Sequence, residues 1–239
     1  MTRSVARGWS KSKGDSTAGT CQLCGGDIAR ARAALHVAEC APSHDVSSGA
    51  SQQLVQLRAT SPGRRQYWID FEAKADARLD AIDAFLRRVW LECCGHLSVF
   101  RIGGVDYFSR GYDFSFGRDF ATGVLERSMN TKLRDALCGD LVEYEYDFGS
   151  TTELQLELTG ERSGRIGRPA VRLLARNSAP VFPCATCGAP ATLICSYCIH
   201  EGTSAFTCQE HLGQHSCGEE EAFLPVANSP RMGICAYVG

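Results

Sequence analysis

The chain has no apolar run approaching the ~18 residues that a membrane-spanning helix requires, so no membrane partner is expected. It also has no excess of one charge: 25 Lys and Arg stand against 27 Asp and Glu, for a net charge of −2. A uniformly basic nucleic-acid coat is thereby excluded, although a local basic patch is not. The N-terminus, Met-Thr-Arg-Ser-Val-Ala-Arg-Gly-Trp, lacks the apolar stretch of a secretory leader, and the expectation is a cytoplasmic protein. A disulfide framework is not expected in that reducing compartment. The compositional bias of a disordered chain is missing too: hydrophobic residues make up 44% and charged residues 22%, the balance of a globular protein. The stretch Gly160 to Pro169 contains three glycines but not the Gly-Lys-Ser/Thr ending of a phosphate loop.

Cysteine, by contrast, is abundant, with 13 in 239 residues. Free thiols in such number hold metal, do chemistry or pack in a core, and their spacing separates these uses. Cys21 and Cys24 form a Cys-x-x-Cys pair followed by Gly25-Gly26, and His36 and Cys40 follow on an Ala-rich segment with high helix propensity. Four residues apart on a helix, His36 and Cys40 share a face. All four can converge on one tetrahedral zinc ion, with His44 as a spare for the fourth position. A second cluster of eight ligands lies between 184 and 217: Cys184, Cys187, Cys195, Cys198, Cys208, His211, His215 and Cys217. So short a segment holds too few apolar residues for a core, and metal binding would supply its folding energy. Interleaved ligand pairs assign Cys184, Cys187, Cys208 and His211 to one zinc, and Cys195, Cys198, His215 and Cys217 to the other. A sequential arrangement, with the first four cysteines on one ion, remains open, as does substitution by His200. Three zinc ions per chain are expected. Sites closed by four protein ligands are structural, because a catalytic zinc keeps a position for water.

The remaining sequence divides around these clusters. Residues 1–20 are a flexible tail carrying Arg3, Arg7, Lys11 and Lys13; 21–40 form the first finger; 41–65, rich in Ser, Pro and Gly, read as a linker. A core spans 66–178. Tyr67, Ile69 and Phe71 alternate with polar neighbours as in a half-buried strand. Leu79, Ile82, Phe85, Leu86, Val89 and Trp90 recur at helical spacing, with Asp80, Asp83, Arg87 and Arg88 off that face and Gly95 as the stop. Leu97–Ile102 reads as a strand closed by Gly103-Gly104. The runs at 142–148 and 154–158 read as a hairpin around Gly149-Ser150, and 171–175 as a last strand. The aromatic stretch from Tyr107 to Phe120 reads as irregular. The predicted fold is α+β: a mostly antiparallel sheet with one main amphipathic helix, flanked by a Cys-Cys-His-Cys finger and, over 179–239, a cross-braced two-zinc module. Glu219-Glu220-Glu221 reads as a charged linker within that last region.

Three strings carry a family resemblance: Phe85 to Gly104 (FLRRVWLECCGHLSVFRIGG), Tyr144 to Leu154 (YEYDFGSTTEL) and Asn228 to Gly239 (NSPRMGICAYVG). The first resembles the core motif of the Ri-plasmid ORF-three-like family, whose members also occur as passenger proteins of insertion elements. The second is similar to that family's Tyr-x-Tyr-Asp-Phe-Gly-Asp block, with Ser150 in place of the last Asp. The third is similar to the ending of a zinc-bearing branch. The resemblance implies an α+β core and a bacterial or archaeal setting. The C-terminal ligand order also resembles MYND and HIT fingers, which mostly mediate protein contacts, and the N-terminal one resembles Cys-Cys-His-Cys fingers, which bind nucleic acid or protein.

Cys93, Cys94, His96, Cys138 and Cys235 fall outside the three sites. Three readings of Cys93-Cys94-Gly95-His96 are open: packed thiols with His96 bridging a helix–strand junction, an activated Cys/His nucleophile, or a fourth metal site completed by Cys235. Asp106 and Asp147 are acid or base candidates, and Asp147, on the polar side of its strand, is expected to be solvated or turn-capping. Arg162, Arg165, Arg168, Arg172 and Arg176 form a basic segment that can track a phosphate backbone or serve as a solvated hairpin. The expected function is macromolecular recognition of protein or nucleic acid by a zinc-binding protein. The alternatives are an enzyme working at His96, Cys93 and Asp147, or an accessory factor in nucleic-acid processing tied to mobile elements.

Overall fold

The computed structural model describes residues 18–112, 124–139, 141–201, 204–215, 217 and 222–239. The elements run β1 (Ala18–Cys21), β2 (Asp27–Ala29), α1 (Arg30–Cys40), β3 (Gln52–Thr60), β4 (Trp68–Lys74), α2 (Leu79–Leu86), β5 (Ser98–Ile102), β6 (Val105–Phe108), β7 (Leu125–Ser128), α3 (Leu133–Ala136), β8 (Leu141–Tyr146), β9 (Thr152–Gly164), β10 (Val171–Asn177), β11 (Leu193–Cys195), α4 (Cys198–Glu201), β12 (Phe206–Thr207) and β13 (Phe223–Pro225). Ten strands form one sheet in the order β2-β1-β10-β4-β3-β9-β8-β5-β6-β7, and β12-β11-β13 form a second, small one. Every pairing is antiparallel except β6 with β7. The fold is therefore mixed, with a mostly antiparallel sheet and few helices. Among the described residues, no helix is long and apolar enough to cross a membrane.

The amphipathic helix forms where its periodicity places it. Leu79, Ile82, Phe85 and Leu86 of α2 face the sheet, and a π-helical turn, Arg87–Leu91, extends it and adds Trp90 and Leu91 to the same core. Asp83, expected off this face, is instead buried: it accepts hydrogen bonds from Ser98 Oγ at 2.6 Å, Tyr144 Oη at 2.7 Å and Arg87 Nε at 2.7 Å. A buried carboxylate persists here because its acceptor positions are filled.

Residues 41–65 are not a linker. They contain a short 3-10 turn at Ala41–His44 and then β3, which is hydrogen-bonded along both edges, to β4 and β9. Leu54, Val55, Leu57 and Ala59 supply its buried side chains. Nor is β4 half-buried. Ile69, Phe71 and Ala73 join the main core on one face, while Trp68, Asp70 and Glu72 are buried on the other. That second face is covered by α1, whose Ala33 and Val37 pack with Cys21, Trp68 and Leu174. The N-terminal segment that carries Cys21, Cys24, His36 and Cys40 is thus a layer on the main sheet, and its β1–β2 hairpin is part of that sheet. Gly19 makes the close approach possible: a Cβ there would sit 2.5 Å from the Arg176 carbonyl and from the Trp68 ring. Of the expected tail only Ala18–Thr20 is described, and it is in β1; Arg3, Arg7, Lys11, Lys13, Phe114, Phe116, Phe120 and the acidic run 219–221 lie outside the described residues.

The segment after β13 links the small sheet to the large one. Ser229 Oγ donates to the Trp90 carbonyl at 2.6 Å, and Asn177 Nδ2 donates to Asn228 Oδ1 at 2.7 Å. Met232 enters the C-terminal module's core with Ile194, Ile199 and Phe182. Arg231, fully buried, reaches the other way into the main domain.

Candidate metal centres

Cys21 ends β1, and the chain turns so that the Gly25 N–H donates to the Cys21 carbonyl at 2.9 Å. Gly25 has φ +75°, which a residue with a Cβ adopts only under strain. The turn presents Cys21 and Cys24 together, and α1 brings His36 and Cys40 over them. The four ligand atoms lie within 4.8 Å of one another. Cys21 and Cys40 sulfurs are 4.0 Å apart, and Cys24 Sγ is 3.5 Å from His36 Nε2. Zinc–ligand bonds of ~2.0–2.3 Å give tetrahedral edges of ~3.5–3.8 Å, so the separations fit one ion. His44, the spare candidate, stands outside the set; its Nδ1 faces the Cys40 carbonyl at 3.0 Å.

The C-terminal ligands interleave. Cys184, Cys187, Cys208 and His211 form one group and Cys195, Cys198, His215 and Cys217 the other, each within 4.8 Å. Representative edges are 3.9 Å for Cys187–Cys208, 3.1 Å for Cys208–His211, 3.7 Å for Cys195–Cys217 and 3.1 Å for Cys198–His215. The sequential alternative would need Cys184 and Cys187 beside Cys195 and Cys198, and the fold keeps those pairs in separate groups; His200 joins neither. The knuckle at Cys184 repeats the first one: Gly188 follows the second cysteine, has φ +73°, and its N–H donates to the Cys184 carbonyl at 2.9 Å.

The thiols are tuned unevenly. The Cys187 backbone N–H leads the groups that lower the Cys184 thiol to about 5, and the Gly26 N–H leads those that lower Cys24 to about 7. Cys40, partly desolvated and beside Cys21, is pushed up to about 12.

A further group comes together at the end of the π-helical turn, where Cys93, Cys94 and His96 meet Cys235. Asp147, the acid or base candidate, is neither solvated nor free. It is 5% exposed, and its Oδ2 accepts from Arg231 Nη2 at 2.6 Å while its Oδ1 caps the turn by accepting from the Gly149 N–H. Burial pushes its carboxyl up, but the Arg231 bond and the Gly149 and Ser150 N–H groups outweigh that and hold it below the ordinary range. Arg231 had no signal in composition or periodicity, since a lone arginine after a proline reads as surface. Cys138 is exposed and joins no group among the described residues, and Asp106 faces Arg101 Nε at 3.5 Å.

The basic segment turns largely inward. Arg162 binds Glu72 at 2.9 Å and Asp45 at 2.7 Å, Arg172 binds Glu72 at 2.5 Å, and Arg176 donates to the Asn228 carbonyl. Arg168 is exposed, and Arg165 is half-buried with its backbone N–H on Asp45.

No family model matches this chain, and no curated protein does. Among solved structures it is similar to a protein of unknown function, MM3350, from Methanosarcina mazei Go1, at 16% identity and a TM-score of 0.45, over 53% of this chain and 71% of that one.

Proposed function

We propose that this protein is a zinc-braced recognition protein, with zinc in three closed Cys₃His sites and macromolecular binding as its task. The observation that carries the reading is the convergence of twelve side chains into three groups, the ligand atoms of each within 4.8 Å of one another. Each group offers four protein ligands, and an ion held by all four has no position left for a reacting water. The ions would therefore brace surfaces. In the C-terminal module, with only short strands around a small core, they would supply folding energy.

The internal engagement of Arg162, Arg172 and Arg176 favours a protein partner over nucleic acid, because guanidiniums committed to Glu72, Asp45 and Asn228 do not release counterions from a phosphate backbone. Membership of the Ri-plasmid ORF-three-like family belongs to the same proposal and rests on the strings at 85–104, 144–154 and 228–239.

Elemental analysis of the reduced full-length protein, paired with gel-shift titrations of mixed DNA and RNA at several salt concentrations, tests both halves. Zinc in at least three equivalents and no salt-dependent shift are expected. Absence of zinc refutes the metal reading, and a steep salt-dependent shift refutes the preference for protein.

A further inference from the structure

Four ligands remain after the three closed sites are assigned, and they come from distant parts of the chain. Cys93 and Cys94 follow the π-helical turn, Gly95 at φ +78° reverses the backbone, and His96 leads into β5. Cys235 arrives from the terminal segment. Cys94 Sγ lies 2.9 Å from His96 Nε2, 3.4 Å from Cys235 Sγ and 3.8 Å from Cys93 Sγ, and Cys235 Sγ lies 3.6 Å from His96 Nε2. A disulfide holds its sulfurs at ~2.05 Å, so these separations are not those of a bond. The 3.4, 3.6 and 3.8 Å separations lie at or near the ~3.5–3.8 Å edges of a zinc tetrahedron, and the Cys94–His96 one is shorter.

Two further observations point to the same ion. A ligating histidine commonly turns its second ring nitrogen to a carboxylate, which fixes the tautomer and raises the basicity of the first. His96 directs Nε2 at the sulfurs and holds Nδ1 3.5 Å from Asp147 Oδ1. The Arg231 bond locks that carboxylate, and Arg231 Nη2 also lies 3.5 Å from Cys93 Sγ, offsetting the negative charge of a three-thiolate site. Backbone strain also collects here. Among the described residues, Asp147 at φ +65° and Cys235 at φ +54° are the non-glycine residues in the left-handed region. Such conformations persist where surrounding structure or a ligand over-determines them.

We propose that Cys93, Cys94, His96 and Cys235 form a fourth zinc site, with Asp147 as the positioning residue behind His96, which fastens the C-terminal segment to the main domain. None of its ligands serves the other three sites, so it stands or falls separately. It is also the most open of the four: Cys94 and Cys235 are exposed and Cys93 and His96 half-buried, whereas every other group contains at least one buried cysteine. Its zinc is the first to leave under mild chelation, releasing the end of the chain while the fingers stay folded.

Native mass spectrometry of the full-length reduced protein, with wild type beside Cys94→Ser and Cys235→Ser, tests this. Four zinc ions in the wild type and three in each variant, with unchanged circular dichroism, are expected. Cys94 is exposed, so its variant keeps the test sound if Cys235→Ser disturbs the segment. Three ions in the wild type, or four in both variants, overturns the fourth site and leaves the closed sites intact. Fewer than three in the wild type overturns both readings. A reducible cross-link from Cys235 to Cys93 or Cys94 in freshly prepared protein also overturns it.

Discussion

Glu72→Gln is the perturbation whose size the structure fixes best. Glu72 is 0% exposed in the middle of β4 and receives Arg162 through Nε at 2.9 Å and Nη2 at 3.0 Å, and Arg172 through Nε at 2.9 Å and Nη2 at 2.5 Å. Replacing the carboxylate by an amide leaves two guanidiniums facing each other, with only Asp45 to share between them. Removing one member of a buried ion pair costs ~3–5 kcal/mol, and the amide keeps one acceptor oxygen, so the expected loss is ~3 kcal/mol. For a chain of this size ~1 kcal/mol moves Tm by roughly 2–4 °C, so the zinc-loaded variant should melt ~6–12 °C lower. Urea unfolding followed by circular dichroism gives the free energy directly, and a triple replacement of Glu72, Arg162 and Arg172 by Met should recover most of it, since apolar substitutes commonly match a buried ionic network. A Glu72→Gln loss below ~0.5 kcal/mol, the size of an ordinary surface change, would refute the claim that these arginines are structural and restore them as a candidate phosphate-binding face.

Three other outcomes are expected. Asp147→Asn, which keeps a residue tolerant of positive φ, should weaken zinc at the Cys93/Cys94/His96/Cys235 site by about 10–100-fold and leave the other sites unchanged, as read by competition with a chromogenic chelator. Cys184→Ser and Cys195→Ser should each abolish one zinc ion of the C-terminal module and partly unfold both halves, seen in amide exchange across 184–217. Asp45 is held below the ordinary carboxylate range first by its hydrogen bond from Arg162. A depressed carboxyl contributes stability that is present above its unfolded pKa and lost as pH falls through the folded one. The stability gap between wild type and Asp45→Asn should therefore be constant near neutrality and close below about pH 4; a gap that widens in acid would contradict the pairing.

The metal-ligand groups were legible because the chemistry is local: a Cys-x-x-Cys turn with a following glycine, and His36 four residues before Cys40, announce themselves in sequence. The order of the C-terminal ligands allowed the interleaved grouping that the fold brings together but left the sequential one open. The strand β3 was not, because Leu54, Val55, Leu57 and Ala59 lie between polar stretches with the composition of a linker, and only pairing to β4 and β9 on both sides makes them core. The burial of Asp70, Glu72 and Asp83 was also hidden. Alternation signals a solvated face, but α1 and the arginines of β9 and β10 cover that face of β4, and partners such as Arg162 lie 90 residues away. The fourth group was readable only as an open possibility, since Cys235 meets Cys94 across 141 residues through a segment whose course depends on Arg231 and Ser229.

Zinc content followed through chelation tests the account most directly. The reduced native protein should carry zinc at the three closed sites, and stripping it with a strong chelator should collapse the C-terminal module, with loss of its amide protection and recovery on adding zinc. Protein that is purified free of zinc, or that keeps full amide protection over 184–217 once stripped, would contradict it.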